Sequence, residues 1–206
     1  MTHQFNLEDI VKAEFWDARY RELPQMWSGT ANRNLVSEAG ELKPGRALDL
    51  GCGEGGDAIW LAQRGWTVDA ADISSVALER GASAAAAAGV ASQIRWLQRD
   101  LLNWRPDEQY DLVSAQYVHL PPDLRNPIST AAAAAVRPGG SLLVVGHAEE
   151  ARRTRDGHEF PADLYFSPEE MTGLLGDPRL WLVETCELRG AGEETDAVYR
   201  ATRLGG

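Results

Sequence analysis

The run Asp49-Leu50-Gly51-Cys52-Gly53-Glu54-Gly55-Gly56-Asp57 restricts the fold of this chain more than any other stretch. It follows the apolar segment Arg46 to Leu50 and leads into Ala58-Ile59-Trp60-Leu61-Ala62-Gln63, so it reads as a turn from a strand into a helix. Glycines in such a turn permit both the tight reversal and the close approach of a ligand to backbone. Two patterns overlap in it. Gly51, Gly53 and Gly56 spell the Gly-x-Gly-x-x-Gly of a dinucleotide turn, whereas Gly51, Gly53 and Gly55, led by Asp49, spell a turn for a different nucleotide. Charge separates the two: Asp49, Glu54 and Asp57 frame the turn, and no Lys or Arg lies between Ala47 and Gln63. A carboxylate about 4 Å from a pyrophosphate meets a repulsion of about 4 kcal/mol at an effective dielectric of about 20. The turn suits a ligand that carries positive charge.

Around it, short apolar runs alternate with longer amphipathic ones, the pattern of strand and helix in turn around a mostly parallel sheet. Strands are predicted at Arg46 to Leu50, Thr67 to Asp72, Ile94 to Gln98, Tyr110 to Gln116 and Ser141 to Gly146. Two more, Leu180 to Leu188 and Asp196 to Arg203, resemble a closing hairpin around Arg189-Gly190-Ala191-Gly192. Ser74 or Ser75 can cap a helix that ends at Gly89, and Asn126 followed by Pro127 can start one that runs to Arg137. Ser167-Pro168-Glu169-Glu170 has the form of a capping box with proline at the first helical position. The alanine runs at 84–88 and 131–135 fit close packing of these helices on the sheet. The expectation is one α/β domain over 1–206, a Rossmann-like, doubly wound sheet of seven strands, with an N-terminal helical cap over 1–44 and a cofactor-binding core over 45–206.

In such a sheet the carboxyl ends of the strands carry the ligand. Asp72 ends the second strand, 21 residues past Gly51, where a carboxylate can accept from both hydroxyls of a ribose. Asp100-Leu101, after the third strand, offers an acceptor for an adenine amino group beside an apolar wall. With these residues in view, the chain resembles the class I S-adenosylmethionine-dependent methyltransferases. The resemblance rests on ALDLGCGEG at 47–55, VDAADIS at 68–74, RDL at 99–101, YDLVSAQ at 110–116 and RPGGSLLVV at 137–145, and covers about residues 44–204. It implies a sheet whose last strand is antiparallel, and S-adenosylmethionine as cofactor. It further implies that Asp49, Gly51, Cys52, Gly53 and Gly55 surround the methionine part, Asp72 the ribose, and Ile73, Asp100 and Leu101 the adenine, with Gln116 near the sulfonium. The run FWDARYRELPQMWSG at 15–29 is similar to the N-terminal segment of the thiopurine and tellurite-resistance branch of small-molecule methyltransferases, which would place Trp27 over the cofactor.

Methyl transfer needs an aligned nucleophile and exclusion of water, with a general base optional. Candidates at the carboxyl edge are Tyr117 and His119 after the fourth strand, and His147 and Glu149 after the fifth; His3 and His158 are weaker. His147 with Glu149 and Glu150 is the one grouping that resembles metal ligands, its spacing is poor, and no metal is expected. The segment 148–166 combines Arg152, Arg153 and Arg155 with Phe160, Leu164, Tyr165 and Phe166, and is expected to form a lid over the acceptor site.

Composition limits the acceptor. With 31 acidic against 20 basic residues, a net charge of -11 opposes binding to nucleic acid or anionic lipid, and after the fourth strand Gln116-Tyr117-Val118-His119 stands where nucleic-acid methylation would call for Asn-Pro-Pro-aromatic. A small-molecule acceptor is expected, in a protein of undetermined oligomeric state. Two distant cysteines, Cys52 and Cys186, and an acidic first segment without a long apolar run fit a soluble protein of the reducing cytoplasm. The competing readings are a nicotinamide-dependent oxidoreductase, from the glycine pattern, and a domain that binds S-adenosylmethionine without turnover.

Overall fold

The computed structural model describes residues 8–149, 154–155, 158–159, 161–192 and 195–205. Of the residues singled out above, His3, Glu150, Arg152, Arg153 and Phe160 lie outside them. Two helices, α1 (Ala13–Glu22) and α2 (Arg33–Ala39), precede the sheet. Then follow β1 (Arg46–Leu50), α3 (Gly56–Gln63), β2 (Thr67–Asp72), α4 (Ser75–Ala87), β3 (Ile94–Gln98), β4 (Tyr110–Gln116), α5 (Pro122–Ala135) and β5 (Val136–His147). After them come a two-residue pair, β6 (Thr154–Arg155) with β7 (His158–Glu159), then α6 (Pro168–Thr172), β8 (Trp181–Arg189) and β9 (Asp196–Arg203).

The seven long strands form one sheet in the order β3-β2-β1-β4-β5-β9-β8, and β9 runs antiparallel to both neighbours. The order reverses at β1, so a crevice opens beyond the carboxyl ends of β1 and β4. The central strands are apolar on both faces because helices cover both. Alternation along β1 puts Ala47 in the core under α2 and α3, where Leu35, Leu61 and Trp66 are buried. It puts Leu48 and Leu50 in the opposite core with Ala132, Ala133 and Tyr199.

Three local expectations are corrected. α5 begins at Pro122, one turn before Asn126, with Pro127 inside it. Burying Arg125 and Ile128 makes that early turn worthwhile despite the hydrogen bond Pro127 cannot donate. β5 begins at Val136, because the Arg-Pro-Gly-Gly stretch continues the strand past Tyr110, and Gly140 lies so close that an added Cβ would meet the Tyr110 carbonyl oxygen at 2.8 Å. Ser167 does start α6, but its hydroxyl makes no capping bond, and the helix ends at Thr172. Glu170, the other half of the expected box, instead accepts from Arg125 at 2.7 Å. Of the two serines proposed before α4, Ser74 is the cap, accepting from the Ala77 N–H at 3.1 Å.

Candidate active site

The turn after β1 is held from below. The Gly51 and Cys52 N–H groups donate to the Ala71 carbonyl at 2.8 and 3.0 Å, and Gly53 N–H donates to Asp72 Oδ2 at 2.8 Å. Gly51, Gly53 and Gly55 adopt φ of +68°, +53° and +79°, a region L side chains avoid. Space excludes a side chain as well: a Cβ on Gly51 would reach Val118 Cγ2 at 2.8 Å, and one on Gly55 would strike the Trp96 ring. The turns after β1 and β4 therefore touch through Gly51 and Val118.

Three carboxylates converge here. Asp49 is 1% exposed and its Oδ2 is buried without a hydrogen-bond partner. Burial, then the nearby charges of Asp57 and Asp72, push its carboxyl well above the usual range. Asp57 accepts from the Asn32 N–H at 2.6 Å, and burial raises it to about 6. Asp72 is raised chiefly by burial, against the pull of its bonds from Gly53 and from Ser74 N–H at 2.8 Å. Burial also pushes the Cys52 thiol up, so it is no thiolate nucleophile at neutral pH.

The expected adenine residues, Ile73, Asp100 and Leu101, lie past β2 and β3, all half-buried. Asp100 caps its own turn, accepting from Leu102 N–H at 2.9 Å and Asn103 Nδ2 at 2.6 Å. Gln116 donates to Ser114 Oγ at 2.8 Å, while its Oε1 is buried without a partner.

The N-terminal segment is fastened over the turn. Glu54 Oε2 accepts from the Met26 and Trp27 N–H groups at 3.0 and 3.1 Å, and Glu54 Oε1 from Arg80 at 2.9 Å. Asp17 of α1 accepts from the Ser74 and Ser75 hydroxyls at 2.6 and 3.1 Å. Trp27 Nε1 donates to the buried Tyr20 hydroxyl at 2.9 Å, and a Cβ on Gly53 would lie 3.2 Å from that nitrogen. The Trp27 ring, 52% exposed, thus borders the glycine turn. S-adenosylmethionine will change the tryptophan fluorescence, and Trp27→Phe will remove most of that change. A variant with the parent's full response would place Trp27 away from the ligand.

Tyr117, His119 and His147 come together at the carboxyl ends of β4 and β5. Ring centroids are 4.7 Å apart for Tyr117 and His147, and 4.8 Å for the stacked His119 and His147. Tyr117 has φ of +54°, and burial, then the Asp196 charge, pushes its hydroxyl up to about 12, so it stays protonated at neutral pH. Asn32 and Asp196 bond its side chain, and Asn34 holds Asp196, three neighbours of the ring cluster that sequence reasoning missed. Asn32 also caps α2 and bonds Asp57, so it bridges the carboxylates and the ring cluster. Beside the rings lies a cavity of about 30 Å³ whose wall includes Leu50, Val118, His119, Arg125, Gly146 and Phe166. Of the expected lid, Leu164, Tyr165 and Phe166 are buried, and Phe166 faces this cavity. No group of three or more His, Cys, Asp or Glu suited to a metal occurs among the described residues, and no helix there is long and apolar enough to cross a membrane.

An open sheet that reverses at β1, with buried carboxylates around a glycine turn, defines a nucleotide-ligand enzyme fold of the methyltransferase type. Residues 47–140 match the model of a methyltransferase domain. The chain is 30% identical over 144 residues to thiocyanate methyltransferase 1 of Brassica oleracea, covering 68% of this chain and 64% of that protein. It is 31% identical over 110 residues to probable thiol methyltransferase 2 of Arabidopsis thaliana, covering 52% and 49%. Magnesium protoporphyrin IX methyltransferase from Synechocystis PCC 6803, solved with bound S-adenosylmethionine, superposes with a TM-score of 0.68 at 18% identity, covering 98% of this chain and all of that one. These likenesses support a class I S-adenosylmethionine-dependent methyltransferase rather than a nicotinamide enzyme. The chain spans less than two thirds of the length of these curated relatives.

Proposed function

We propose that the protein binds S-adenosylmethionine at the β1 turn and transfers its methyl group to a small, soft nucleophile, a thiol or a comparable sulfur anion. The observation that carries the cofactor side is the Asp49 carboxylate, buried with one oxygen lacking a partner and facing two further acids. A dry cluster of this kind demands positive charge. S-adenosylmethionine, when bound, supplies an ammonium and a methyl group already activated by positive sulfur.

The chain's own residues supply the rest. Asp49, Gly51, Cys52, Gly53 and Gly55 would hold the amino-acid part, Asp72 the ribose through its remaining lone pairs, Ile73, Asp100 and Leu101 the adenine, and Gln116 the sulfur end. Val118, Phe166 and Leu50 line the adjoining cavity with apolar surface, which excludes water. The cavity's small volume and the relatives named for thiocyanate and thiol support a small sulfur acceptor. The expectations of a cytoplasmic location and of no nucleic-acid partner fit the acidic chain and remain part of this proposal.

Calorimetric titration with S-adenosylmethionine across pH 5 to 8 tests the reading. Asp57 titrates at about 6 in the folded protein, above the usual carboxylate value, so below that pH a cation must displace its proton. Affinity will rise with pH through about 6, with proton release to the buffer. By the same sign, folding holds these protons more tightly than the unfolded chain does, so the cofactor-free protein loses stability as pH rises from the ordinary carboxylate range through about 6. Affinity independent of pH would remove the three acids from the site, and absence of binding would overturn the cofactor reading.

A further inference from the structure

The cavity beneath α5 is bounded by a side chain with little freedom to move. Phe166 is buried in its wall, and the ring meets β5 where that strand carries no side chain: a Cβ on Gly146 would lie 2.6 Å from Phe166 Cε1. The Arg125 guanidinium stands 5.6 Å from the Phe166 ring centroid. It also donates to the carbonyls of Tyr165 at 3.1 Å and Asp163 at 3.4 Å, so the backbone that carries the ring is tied to α5. Val118 lines the same cavity, and its Cγ2 is the atom that a Cβ on Gly51 would meet at 2.8 Å. Val118 therefore stands between the cavity and the glycine turn. Much of the remaining wall is aliphatic, with Leu50, Ile128, Ala132 and Val144. A volume of about 30 Å³ gives room for about one or two water-sized groups, such as a methyl or an ethyl.

Resting on the methyl-transfer reading above, we propose that this cavity receives the alkyl tail of a thiol and that Phe166 is the residue that limits the tail to about two carbons. A short tail exchanges water for apolar wall and leaves its sulfur on the Val118 side, next to the turn proposed to hold the cofactor. A longer tail must displace the Phe166 ring, which Gly146 and Arg125 hold in place, or leave its sulfur out of line. Binding energy that aligns a short thiol is then spent on displacement. The discrimination comes from this repulsion as much as from the fit of the short tail. Ser129 of α5 lines the cavity as well, so volume added there tightens the limit.

Steady-state kinetics of the full chain with methanethiol, ethanethiol and butanethiol read the limit. The parent will favour ethanethiol over butanethiol in kcat/KM, and Phe166→Ala will shift that ratio by about 100-fold toward butanethiol, the scale of one or two methylenes in a closed pocket. Phe166→Leu, which keeps more of the core contact, will shift it the same way by about 10-fold and serves if the alanine variant does not fold. Ser129→Val will shift the preference from ethanethiol toward methanethiol by about 10-fold. A butanethiol-to-ethanethiol ratio unmoved in folded Phe166 variants would overturn the size limit. NMR of the complex with S-adenosylhomocysteine separates this outcome from failure of the transfer reading. Nuclear Overhauser effects will join the ethanethiol methyl to the Val118 and Ile128 methyls, and butanethiol will give them only in the Phe166 variants. Such effects in a parent that methylates none of the three thiols would overturn the transfer reading and leave the tail pocket standing, whereas their absence at saturating ethanethiol would overturn the tail pocket itself.

Discussion

An Asp72→Ala variant will bind S-adenosylmethionine about 10- to 150-fold more weakly than the parent, a loss of about 1.5 to 3 kcal/mol for hydrogen bonds to a charged acceptor. Two effects add in that figure. The substitution removes the oxygens proposed to receive the ribose hydroxyls, and it frees the Gly53 and Ser74 N–H groups that Asp72 now satisfies. Asp72→Asn separates them: an amide oxygen can still hold one backbone N–H, so the fold near the turn persists while the charge is gone. Calorimetry on both variants checks the prediction. An alanine variant with the parent's affinity would remove Asp72 from the site.

Arg125→Met will destabilise the protein by about 2 to 4 kcal/mol, because it leaves buried acceptors without a donor. The guanidinium is 7% exposed, and burial lowers its pKa. It donates to the Tyr165 carbonyl at 3.1 Å, more weakly to those of Leu120 and Asp163, both at 3.4 Å, and to Glu170 at 2.7 Å. Methionine fills similar volume and supplies no donor. Glu170, half exposed, can return to water, so the cost falls on the carbonyls that fasten residues 161–166 under the cavity. Urea unfolding with an unchanged m-value reads the effect. By contrast the same substitution at Arg179, 88% exposed beside Asp177, will leave the unfolding midpoint near the parent's. A midpoint for Arg125→Met equal to that of the Arg179 variant would show that the donor network contributes nothing.

Strand positions were legible in the sequence wherever burial on both faces writes an unbroken apolar run, as in β1, β2 and β4. Glycine and capping chemistry located the turn at 51–55 and the start of α4 at Ser74, because each depends on residues close in sequence. The start of α5 was not legible, since the pull on Pro122 to Arg125 comes from carbonyls some 40 residues away, such as that of Tyr165. The same holds for the site. Asp49, Asp72 and the ring trio follow from position at strand ends. Asp196 does not, because an acid at the start of a closing strand reads as a surface residue until the register sets it opposite His147. Glu54 was read as part of the turn's negative charge, yet one of its oxygens is committed to the Met26 and Trp27 backbone and the other to Arg80.

The place of β9 between β5 and β8 has a consequence for synthesis. The parallel half, β3-β2-β1-β4-β5, can assemble as the chain emerges, since each strand adds beside one already made. β8 emerges with no edge to join, because its sole partner is β9. It must wait, as a nine-residue strand carrying exposed Leu182 and Leu188, until residues 196–203 insert between it and β5. Asp196 arrives in that same insertion. The glycine turn and its carboxylates can therefore be in place on a nascent chain that still lacks Asp196 opposite His147, and the crevice edge beside β5 is completed last.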